Sequence, residues 1–87
     1  MVTLIKNKET QQVKQHILKC RDWLAKNTKK TPVINKLITS IDLTELAKRV
    51  LRLNLSEDEM IIACIEEEYD LKKVSENIYN FNLELLS

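Results

Sequence analysis

The sequence predicts an all-α fold, a compact bundle of about five short helices forming one domain over residues 1–87, with room for a short extended N-terminal arm. Three observations predict it. The chain has no glycine and one proline, which disfavours tight two-residue hairpins and the loops that cradle phosphates, because both use a residue without a Cβ. Leu, Ile, Lys and Glu are abundant, a composition that suits helices. Apolar residues recur at spacings of three and four along most of the chain, the period of a helix face.

Each element follows in order. Residues 1–7 (MVTLIKN) are short, apolar and β-branched, and read as an edge strand, a dimer-pairing strand or an extended arm. Over residues 8–27, Val13, Ile17, Cys20 and Leu24 mark the buried stripe of a first helix, with Lys8, Lys19 and Lys26 opposite it. Residues 27–32 break the pattern, and Pro32 after Thr31 suits the first position of a short second helix that turns Ile34, Leu37 and Ile38 inward. Asp42 with Glu45 opens a third helix on Leu43, Leu46, Ala47, Val50 and Leu51. Ser56 with Glu59, directly before an apolar run, is the clearest start signal in the chain. The helix it opens carries Met60, Ile61, Ile62, Cys64, Ile65 and Tyr69 around more than half its circumference, which predicts a central helix. Asp70 then caps a fifth helix on Leu71, Val74, Ile78, Phe81 and Leu85.

The net charge of +1 conceals an asymmetry. Residues 1–55 hold twelve basic and four acidic side chains, whereas residues 56–87 hold two basic and nine acidic ones. The two halves either neutralise each other within the fold or present opposite poles to partners. Two cysteines are too few for a disulfide framework, and no charged-then-apolar leader opens the chain. The longest apolar run, residues 60–65, is far short of the ~20 residues that span a bilayer. These features point to a soluble protein with reduced thiols, intracellular and cytoplasmic, or nuclear in a eukaryote.

Catalytic chemistry finds little support. His16 is the only histidine, and the Ser and Asp residues fall where caps and turns account for them. His16 and Cys20 are one helical turn apart and Cys64 lies on the central helix, but no second ligand pair exists, so no metal and no cofactor are expected. Residues 60–78, from Met60-Ile-Ile-Ala-Cys64 to Val74-Ser-Glu-Asn-Ile78, resemble the first helix and second-helix start of the Fis-type helix-turn-helix. Val74 stands where that pattern has a small residue and Asn80 near its turn glycine, and residues 81–87 are short and acidic for a recognition helix. No residue role is therefore taken from the resemblance.

Two surfaces remain. Glu66, Glu67 and Glu68 sit at the C-terminal end of the fourth predicted helix, against its macrodipole, and form an acidic docking patch unless the basic half screens them. Tyr79, Leu83 and Leu86 form a second apolar stripe opposite the seam of the fifth predicted helix, which a subunit this small rarely buries; it marks an interface unless the terminus frays or the arm of residues 1–7 wraps over it. The resulting expectation is a non-enzymatic regulatory or adaptor protein that works by protein–protein contact, as a homodimer, through Tyr79, Leu83, Leu86 and Glu66 to Glu68. The alternative is a nucleic-acid-binding transcriptional regulator using Lys19, Lys26, Lys29, Lys30, Lys48, Arg49 and Arg52 on the first and third helices.

Overall fold

A computed structural model describes the backbone of residues 2–86 and the side chains of residues 11–86. The elements run α1 (Val2–Asn27), β1 (Thr28–Thr39), α2 (Ser40–Leu51), α3 (Glu57–Glu66), β2 (Leu71–Ser75) and β3 (Ile78–Leu85). The fold is α+β, with three helices and a three-stranded antiparallel sheet in the order β1-β3-β2 among the described residues. This overturns the five-helix bundle.

One helix, α3, begins at the cap the sequence places. Ser56 Oγ accepts the Glu59 N–H at 3.1 Å and Glu59 Oε1 accepts the Ser56 N–H at 2.8 Å, which satisfies two donors at the start of α3. At α2 the cap is Thr39, three residues earlier than the predicted Asp42. Asp42 occupies the third helical position and closes the same box by accepting the Thr39 N–H. Residues 2–7 continue α1 as helix and do not form an extended arm, while Met1 lies outside the described residues.

The two misplaced helices are strands. In β3 the apolar residues Tyr79, Phe81, Leu83 and Leu85 alternate with Asn80, Asn82 and Glu84, a period of two that turns Phe81 and Leu83 into the core. Residues 32–38, expected to be helical, lie in β1, where Leu37 is 89% exposed. Pro32 is tolerated because β1 is an edge strand and the residue falls in a register shift between Lys30 and Asn35. A second shift follows between Asn35 and Thr39. Side-chain amides bridge these gaps: Asn35 Nδ2 donates to the Leu83 carbonyl at 3.0 Å, and Asn80 Nδ2 donates to the Ile38 carbonyl at 2.8 Å.

The core gathers Ile17, Cys20, Trp23 and Leu24 of α1 with Leu43 and Ala47 of α2, Met60, Ala63 and Cys64 of α3, and Phe81 and Leu83 of β3. Both halves of the chain therefore meet in one core. Arg21 joins them electrically, with Nε 2.8 Å from Glu67 Oε2 and Nη1 3.0 Å from Glu66 Oε1. Among the described residues, no helix is long and apolar enough to cross a membrane.

Candidate functional site

The site residues expected from the sequence fall into three environments. Leu83 is fully buried and Tyr79 is half-buried against the core, while Leu86 alone of the expected stripe is substantially exposed, at 49%. The two-faced helix that would have presented them does not exist, since they lie in or just beyond β3. Glu66 and Glu67 bond Arg21 and so offset the repulsion at the end of α3. Glu68 is exposed in a left-handed conformation with φ 64°.

Several of the basic candidates already face acids or an aromatic ring. Lys26 pairs with Asp22 at 3.1 Å, Lys29 with Glu84 at 2.9 Å and Lys48 with Glu45 at 3.7 Å. Lys30 Nζ lies 5.5 Å from the centre of the Tyr69 ring. Lys19, Arg49 and Arg52 are exposed, Arg49 beside Asp42 and Glu45 in a cleft of about 340 Å³, and Arg52 as the left-handed C-cap of α2.

The groups with catalytic or metal-binding chemistry are occupied or buried. His16 Nδ1 is 3.0 Å from Glu59 Oε2, and the other oxygen of that carboxylate closes the cap of α3. Burial pushes the Cys20 thiol up to about 11, with the nearby Glu59 charge adding to it, and pushes the Cys64 thiol up to about 12. Such thiols are poor nucleophiles and poor ligands near neutrality. Among the described residues, no group of three His, Cys, Asp or Glu side chains is placed to hold a metal ion.

Two surfaces stand out that the sequence did not single out. The first lies between α1 and α3, where Lys14, Ile17, Leu18 and Glu66 line a groove of about 260 Å³. The contacts of His16 with Glu59 and of Arg21 with Glu66 show that the two helices advance in the same direction. Ile62, one turn before Glu66, therefore lies at the level of Leu18. Leu18 is 58% exposed, Ile62 39% and Ile65 50%. The second surface covers the sheet, where Lys36, Lys72, Lys73, Val74 and Asn80 line a shallow basin of about 390 Å³.

The signals for the first surface were present but ambiguous. Leu18 is an apolar residue off the buried stripe of α1, and Ile62 and Ile65 belong to the wide apolar arc assigned to a central helix. Comparison with protein-family models, with curated proteins and with solved structures found no match. The chain's own geometry therefore carries the functional reading.

Proposed function

We propose that this chain is a small non-enzymatic regulatory or adaptor module that acts by protein–protein contact and pairs with a second copy of itself. The observation that carries this reading is the exposure of Leu18 at the α1–α3 groove, which Lys14, Ile17 and Glu66 also line, together with the exposure of Ile62 and Ile65 on α3. Contiguous apolar surface favours a protein interface. A rim with one cation and one anion is self-complementary under a two-fold axis, since Lys14 of each copy then faces Glu66 of the other.

Element order supplies a second reason to favour protein over nucleic acid. The helices α2 and α3 follow one another directly, as the two helices of a helix-turn-helix do, although order alone assigns no activity. In a helix-turn-helix that reads DNA, the second helix of the pair enters the major groove. That position belongs here to α3, whose first turn carries Glu57, Asp58 and Glu59. Glu59 is buried in the cap, and the two remaining acids at the leading end of the helix, Glu57 and Asp58, repel the phosphate backbone.

The test is the mass in solution. The unmodified chain should scatter light as twice its 10.2 kDa at high micromolar concentration. Leu18→Glu, at an exposed position, should return it to the mass of one chain with an unchanged circular dichroism spectrum. A wild-type chain that stays monomeric over that range would refute the homodimer.

A further inference from the structure

We infer that the free edge of β2 binds an acidic, extended peptide by strand addition. The strand pairs with β3 on one side only, and all five of its residues are exposed. Its outer side therefore presents backbone donors and acceptors to which another strand can pair. Lys72 and Lys73 belong to this edge strand, and the basin they line with Lys36 of β1 and Asn80 of β3 extends from it over the face of the sheet. None of the three lysines forms an ion pair among the described residues.

The occupant follows from pattern and charge. Lysines on a sheet edge oppose pairing with a second β2, because like charges would then lie across from each other. The same lysines favour a strand of opposite sign. Lys72 and Lys73 are successive residues of β2 and both line the basin, and a partner strand answers the pair with two successive acids. Exposed Leu71 and Val74 flank them and call for apolar residues on either side. The complement of Leu71-Lys72-Lys73-Val74 is thus apolar-acidic-acidic-apolar, which reads the same in both chain directions. Backbone pairing distinguishes this occupant from a nucleic acid, which the lysines would attract without using the strand edge.

This inference rests on the reading of the chain as a protein-binding module, though not on its self-association. The probe is a fluorescent capped peptide of sequence Thr-Val-Glu-Glu-Val-Thr, compared with the same peptide N-methylated along one edge and with a short oligothymidylate. Saturable binding is expected for the first peptide, with amide shifts confined to residues 71–75 and their neighbours. The K72E/K73E double variant should bind it about tenfold more weakly or worse while keeping its fold. Equal binding of the N-methylated peptide, no binding of the unmodified one, or uptake of the oligothymidylate alone would each overturn the inference. A chain that is monomeric by light scattering yet binds the peptide removes the homodimer and leaves this site. A dimer that ignores the peptide does the reverse.

Discussion

Without glycine, the chain places ordinary residues in left-handed backbone. Arg52, Glu68 and Asn77 have φ of 55°, 64° and 62°. Asn77 suits its place in the β2–β3 turn, because a short amide tolerates this region. Glu68 is less well suited. It ends α3 in a Schellman arrangement, in which its N–H bonds the Ile65 carbonyl and the Tyr69 N–H bonds the Cys64 carbonyl, both at 3.0 Å. The position ordinarily favours glycine, since a Cβ in left-handed backbone costs ~1–2 kcal/mol. Glu68→Gly should therefore raise stability by about 1 kcal/mol, measured by urea denaturation, because glycine's greater freedom in the unfolded chain offsets part of the relief. A loss of stability would mean that the Glu68 side chain makes a compensating contact.

Among the elements, the start of α3 was legible and the C-terminal hairpin was not. The Ser56–Glu59 box is a local pattern whose hydrogen bonds close within four residues, so the sequence alone predicts it. In β3 two periods coexist. Leu71, Val74, Ile78, Phe81 and Leu85 satisfy a helical seam, while Tyr79, Phe81, Leu83 and Leu85 satisfy strict alternation, as the two patterns share Phe81 and Leu85. The deciding difference lies in Leu83, which the helical seam leaves outside and the strand buries completely. Leu83→Ala should thus destabilise the fold by about 2–5 kcal/mol, as expected of a fully buried leucine. Leu86→Ala, at an exposed position, should stay within about 0.5 kcal/mol. Equal and small effects from both, read from denaturation midpoints, would contradict the strand assignment. In β1 the register shifts hid the strand further, because two interruptions leave no alternating run to read.

The whole molecule resolves the charge asymmetry by interleaving its halves. Arg21 and His16 of the basic half meet Glu66, Glu67 and Glu59 of the acidic half, and Lys29 meets Glu84 across the β1–β3 ladder. The core is shared in the same way, so neither half can bury its apolar face alone. Fragments 1–55 and 56–87 should each lack a cooperative thermal transition, and mixing them should restore one. A cooperative transition in fragment 1–55 by itself would show that the halves are independent. The sequence by itself determined the Ser56 cap of α3, the burial of Ile17, Cys20 and Leu24 in α1 and the opposed charges of the two halves, because these depend on neighbours within a few turns or on composition, whereas Val13 of the same predicted stripe is exposed. Only the tertiary structure decided that residues 28–39 and 71–85 form a sheet and that Leu83 is core rather than interface. It also decided that Leu18, Ile62, Lys72 and Lys73 are left facing outward, since strand pairing and burial are settled by residues distant in the chain.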